Sequence, residues 1–259
     1  MQAIYFEQRS PSRFVPTPHV SGAWNPQEQH VAPSLGLLAH LVEAHCDARR
    51  ADRLQIGRAS YDILGKLAMA GFEVEIEVIR PGRTIELVEA RLRQDGRVGL
   101  VLRAWLMATG DTAALEGHGF SPIPPVEQVP PWDMGEVWPG GFVRSVEIRR
   151  EETMPGLAAY WVRTPVALLA GARISPVARL LGLVDVANGA TVRVSPQRVA
   201  FPNIDLSAHL FRTPAGEWFG FQTTVAFGPD GIGLTHSVLH DAAGPLGVVS
   251  KCLTVRPGH

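Results

Sequence analysis

Asp205, inside the run VAFPNIDLSAHLFR from Val199 to Arg212, is the side chain whose setting most suggests chemistry. Val199, Phe201, Ile204, Leu206, Leu210 and Phe211 give that run a strand-like make-up, in which a charge is costly unless it is paired or put to use. A carboxylate there is able to align or deprotonate a water molecule if its surroundings raise its affinity for protons. It is equally able to cap a turn or to pair with His209 or Arg212 nearby. A second aspartate, Asp62 in RASYDIL, occupies a similar place earlier in the chain, with different neighbours. His236 and His240, four apart, would share one face of a strand, but no third ligand lies in register, so no metal is expected. Neither Cys46 nor Cys252 belongs to a CxxC or Cys/His cluster, which points to free thiols in a reducing compartment. No glycine-rich phosphate-cradling loop is present, and no cofactor is expected.

The elements that would position Asp205 surround it in sequence. The runs WFGFQTTVAF, IGLTHSVLH and GVVSKCLTV follow, separated by the turn signals GPDG and DAAGP, and the last sixty or so residues read as an antiparallel meander with the acid at its head. Upstream, Ser175 and Pro176 supply an N-cap and a first-turn proline, and Val177, Leu180, Leu181 and Val184 form the apolar stripe of a helix ending near Asn188 and Gly189. The first half has the same order. AIYFE and RFVP suggest short strands, Leu35, Leu38, Val42 and Cys46 fall at helical spacing in a helix from Ala32 to about Arg50, and four strand-forming runs follow. In the second of these, Phe72, Val74, Ile76 and Val78 alternate with Glu73, Glu75 and Glu77, so one face is dry and the other wet. Between the halves, the 25 residues from Gly117 to Gly141 hold six prolines and five glycines and read as a connector. The expected division is an N-terminal domain at 1–117, a linker at 118–141 and a C-terminal domain at 142–259.

Length and charge bound the function. With 259 residues the chain can bury a sizeable core, and a net charge of -1 without basic stripes offers no footprint for nucleic acid. No run approaches the roughly 18 apolar residues of a membrane span, and the N-terminus lacks a leader-like apolar core, so a soluble cytoplasmic protein is expected.

The duplicated order of short strands, one apolar helix and a long antiparallel sheet is that of an α+β double hotdog. In SPVARLLGLVDVANG, IDLSAHLFRTPAGEW, GPDGIGLTHSVLHDAAGPLG and VSKCLTVR, the chain resembles the bacterial acyl-CoA thioesterases of that type. The resemblance implies hydrolysis of acyl-CoA thioesters, with an aspartate, a hydroxyl residue and a glutamine ordering the attacking water. The aspartate would be Asp205. The glutamine position falls on Lys251, a departure that allows either a substitute donor to Asp205 or a surface lysine on an edge strand, the latter being favoured. The hydroxyl position falls at Val225 or Ala226, which puts Thr224, or its neighbour Thr223, one or two places away. Asp205, Thr224 and Lys251 are thus the expected catalytic set, with amides at the starts of the helices near Pro33 and Pro176 polarising the carbonyl. The proline itself has no N–H to give. Because two positions depart from the pattern, a degenerate protein that binds acyl thioesters without turnover, or serves as a packing subunit, is the alternative. WNPQEQH also resembles the Asn-Pro and histidine of the hotdog enoyl hydratases, but Asn25 stands where their aspartate would, which counts against that activity. Exposed sheet edges would favour association into homo-oligomers.

Overall fold

The computed structural model describes residues 2–258. Its strands are β1 (Ile4–Gln8), β2 (Arg13–Pro16), β3 (Leu54–Ile63), β4 (Phe72–Arg80), β5 (Ile85–Gln94), β6 (Arg97–Ala108), β7 (Pro131–Trp132), β8 (Glu147–Met154), β9 (Leu157–Arg163), β10 (Ala167–Leu169), β11 (Val199–Ala200), β12 (Asp205–Leu210), β13 (Phe219–Phe227), β14 (Ile232–Asp241), β15 (Gly244–Thr254) and β16 (Arg256–Pro257). The helices are α1 (Val31–Arg49), α2 (Gly141–Arg144), α3 (Pro176–Leu181) and α4 (Ala187–Ala190).

One sheet of fourteen strands, ordered β10-β1-β2-β4-β5-β6-β3-β12-β15-β14-β13-β9-β8-β7, runs through both halves. Each half wraps its curved sheet around its own helix, and the halves join where β3 pairs with β12. The register there pairs Asp205 with Asp62, Ser207 with Ser60 and His209 with Arg58, so the duplicated strands meet about a local two-fold axis. At its centre the Ser60 and Ser207 hydroxyls are hydrogen-bonded at 2.7 Å. The four runs of each half are not a plain meander, because the first of them lies beside the last: β3 pairs with β6, and β12 with β15. That placement puts β3 and β12 at the middle of the sheet, where each finds partners on both sides.

Helix α1 is buried on nearly all sides over its first three turns, with Leu35, Leu37, Leu38 and Ala39 all fully enclosed. A helix surrounded by sheet and a second helix must be apolar all round rather than amphipathic. The second helix, expected to run unbroken to Asn188, is instead broken after Leu181: Gly182 ends α3, and one 3-10 turn, Val184–Val186, precedes α4. Ser175 caps α3 as its position implies, accepting the Ala178 N–H at 3.0 Å. The break lies where α1 and α3 cross, and a Cβ on Gly36 would come within 2.8 Å of the Ala178 carbonyl oxygen and of the Gly182 Cα. Gly36→Ala is therefore expected to destabilise the protein by about 1–3 kcal/mol through overpacking against backbone, read as a lowered urea midpoint with an unchanged m-value.

The Pro/Gly-rich stretch does more than connect. It pairs Pro131 and Trp132 with β8 and buries Val129, Met134 and Trp138. The sheet ends in strands of three and two residues, β10 and β7, so little unpaired edge is left.

At the outer end of the helix pair, the Ser175 hydroxyl donates to Glu43 Oε2 at 2.6 Å. Burial raises the Glu43 carboxyl to about 7, against the pull of the Ser175 bond, with Asp47 adding repulsion and Arg53 opposing it. A carboxyl whose folded value lies above its unfolded one contributes stability that is complete below about pH 4.5 and lost as pH rises through about 7. Glu43→Gln should remove a loss on the order of 2–3 kcal/mol between pH 5 and 8. Denaturant melts of wild type and variant at both pH values would show it, and equal slopes against pH would refute it.

Candidate active site

A cleft of about 460 Å³ opens between the halves. One wall comes from the segment Gly22–Val31, which leads into α1, and from Ile63–Leu67 after β3; the other comes from Met134, Trp138, the broken second helix and Pro202–Asn203. Trp24 and Trp138 meet edge to face with ring centres 4.7 Å apart, and both pack on Phe201, which gives this side an apolar lining. Trp138 is fixed by its indole N–H, which donates to the Gly189 carbonyl at 3.0 Å.

The polar centre of the cleft is Asp185, on the 3-10 turn that the break at Gly182 creates. Its Oδ1 accepts from Lys251 Nζ at 2.9 Å and from Asn203 Nδ2 at 3.0 Å. Oδ2 has no hydrogen-bond partner among the described residues, and His30 Nδ1 lies 3.8 Å from it. Lys251 also donates to Asn188 Oδ1 at 3.1 Å. Its ammonium is fully enclosed, and burial pushes its pKa down even though the Asp185 carboxylate pulls the other way. Desolvation of the charge thus outweighs the attraction, as is common for buried ion pairs.

His30 closes the other side. It is the N-cap of α1, with Nδ1 accepting the Ala32 N–H at 3.2 Å and the ring 4.3 Å from that of Phe142. Burial lowers its pKa to about 4, Asp185 opposing the shift and Lys251 adding to it, so the imidazole is neutral at pH 7.

Of the expected catalytic set, Lys251 is the member that bonds Asp185, and Asp205 lies near enough for its charge to act on that lysine. The surface position favoured for it is overturned: Val249, Lys251 and Leu253 alternate inward along β15, while Val248, Ser250 and Cys252 face the other way. Asp205 does not line the cleft; it is half-buried at the start of β12, where its Oδ1 accepts the Cys252 N–H at 2.6 Å. Arg212 is not its partner, being held in a two-pronged pair by Asp241. Thr224 is exposed on the outer face of β13, whereas Thr223 points inward and bonds the Ser237 hydroxyl at 2.7 Å, away from Asp185's donors. Asp62 is exposed opposite Asp205. His236 and His240 are separated by a bulge, the first bonded to Ser250 and the second to the carbonyls of Val238 and Ser121. At the start of α3 the N-cap side chain Ser175 faces Glu43, and of the two helix starts only that of α1 borders the cleft.

Asp185, Asn203 and Asn188 were not singled out as site residues by the reading of the sequence, and His30 figured there only as the histidine of the hydratase-like WNPQEQH. A signal for Asp185 existed: it is a carboxylate within the apolar stripe Leu180, Leu181, Val184, where only a paired or working charge is tolerated.

The C-terminal domain of acyl-CoA thioesterases matches residues 125–255, and the N-terminal domain of the same family matches residues 20–107. No match is found among curated proteins. Among solved structures, a candidate thioesterase II of Thermobifida fusca is 23% identical with a TM-score of 0.73, each chain covered over 100% of its length. A hotdog protein of unknown function from Alicyclobacillus acidocaldarius is 14% identical with a TM-score of 0.74, covering 100% of this chain and 97% of its own. TesB2, an acyl-CoA thioesterase II of Mycobacterium marinum, is 14% identical with a TM-score of 0.69, covering 98% and 96%. At these identities the structural likeness speaks for the double-hotdog fold, while the two domain matches speak for descent. The chain belongs to the acyl-CoA thioesterase family and is a double-hotdog thioester hydrolase.

Proposed function

We propose that the cleft hydrolyses acyl-CoA thioesters with Asp185, rather than Asp205, as the carboxylate that activates water. The observation that carries this reading is the division of labour on Asp185: one oxygen is fixed by Lys251 and Asn203, and the other is left unbonded at the cleft. A water on Oδ2 gives its proton to the carboxylate as its oxygen attacks the thioester carbon. The C–S bond then breaks, and the departing thiolate takes up a proton. The N–H of Val31, in the first turn of α1 and on the cleft wall, polarises the carbonyl, with the helix dipole behind it. Trp24, Trp138 and Met134 provide an apolar surface for the acyl group. Asp205 has the part of a strand cap in this scheme. The two free cysteines are in keeping with a cytoplasmic setting.

One feature favours binding without turnover: an ammonium, not a neutral amide, rests on the working carboxylate. Thiol release from a panel of acyl-CoA substrates of increasing chain length decides between the two. Turnover with any of them supports hydrolysis and reports the preferred acyl group. Saturable binding by calorimetry with no thiol released would leave the binding role.

A further inference from the structure

The first turn of α1 is short of amides for an oxyanion. His30, Val31, Ala32 and Pro33, the N-cap residue and the first three of the helix, occupy the positions whose N–H groups have no partner within the helix. Pro33 has none, the Ala32 N–H is taken by the His30 ring, and the His30 N–H is given to the Val20 carbonyl at 2.7 Å. Val31 is left as the single amide for a developing negative charge, where acyl-transfer sites ordinarily aim more than one donor.

The residue that takes the Ala32 amide brings a donor of its own. Because His30 Nδ1 accepts a hydrogen bond and the ring is neutral, the ring proton resides on Nε2; the tautomer follows from the bond. Nε2 has no hydrogen-bond partner among the described residues, and it is not among their fully buried unpaired polar atoms. His30 lines the cleft next to Val31, across from Asp185, with a tenth of its side chain exposed.

We propose that His30 is a further catalytic residue, its Nε2–H donating to the thioester carbonyl oxygen beside the Val31 amide. The inference rests on the hydrolase reading of the same cleft. A neutral imidazole at a helix N-terminus suits the task, because it polarises the carbonyl without surrendering its proton to the nearby carboxylate. The division of the ring into a cap on one side and a donor on the other also explains how a histidine serves at an N-cap position.

The test separates those two roles. Serine is a strong N-cap with no counterpart to Nε2–H, so His30→Ser should melt close to wild type and lose about 10²–10³-fold in kcat with KM little changed. His30→Asn, another strong cap, serves if the serine variant folds poorly. Long-range proton–nitrogen spectra of the free wild-type protein at pH 7 should show His30 protonated on Nε2 and bare on Nδ1. A kcat within about threefold of wild type in a folded cap variant, or a ring protonated on Nδ1, overturns the assignment while leaving the hydrolase reading in place. An inactive wild type overturns that reading itself, and the donor role with it.

Discussion

Asp185→Asn is expected to lower kcat for acyl-CoA hydrolysis by about 10³-fold or more, from loss of the base together with misorientation of the water. The amide is of nearly the same shape and can still bind the carbonyl, but it cannot accept the proton of the attacking water. Asp205→Asn is expected to retain activity within a few-fold, because that side chain bonds the Cys252 amide and does not line the cleft. The pair of variants discriminates the two aspartates directly: a dead Asp205→Asn beside an active Asp185→Asn would reverse the assignment. The asparagine at 185 removes the countercharge of an enclosed lysine, so circular dichroism and a thermal melt of the variant belong with the kinetics.

Lys251→Met is expected to destabilise the protein by about 3–5 kcal/mol and to abolish activity, since it strands the Asp185 carboxylate in a site with little water. Lys251 itself is fully enclosed and Asp185 retains only 7% side-chain exposure. For a chain of this size the loss corresponds to a fall in Tm of roughly 6–20 °C. Lys251→Gln keeps a donor in place and should cost less on both counts. The double variant Lys251→Met with Asp185→Leu should recover much of the stability and none of the activity, because burial drives the lysine pKa down even with its partner present. If the double variant is no more stable than Lys251→Met alone, the pair is a net structural asset rather than one retained for its chemistry.

The arrangement that emerges is asymmetric although the fold is duplicated. Each half has a helix whose N-cap side chain faces a carboxylate on the other half: His30 lies near Asp185, and Ser175 bonds Glu43. Only the first pair borders the cleft, where Lys251 and Asn203 add their donors.

Much of this was legible from residue order. The Ser175 cap with Pro176, the alternation from Phe72 to Val78 and the turn signals GPDG and DAAGP are local, and local sterics and solvation decide them, so the starts of the two main helices, most strands and the tandem repeat could be read. The same alternation already marked Lys251 as inward between Val249 and Leu253, and Thr224 as outward between Thr223 and Val225. A charge preference set against that pattern gave the surface position for the lysine, and the pattern prevails because β-strand side chains must alternate. What only the tertiary structure decided is which carboxylate those donors meet. Lys251, Asn203, Asp185 and His30 come from four segments spread over more than 200 residues, and their convergence depends on the break at Gly182 and on the crossing at Gly36. Neither the crossing of two helices nor the seam between β3 and β12 is encoded by any short window of sequence, since both arise from burying two apolar helices against one shared sheet.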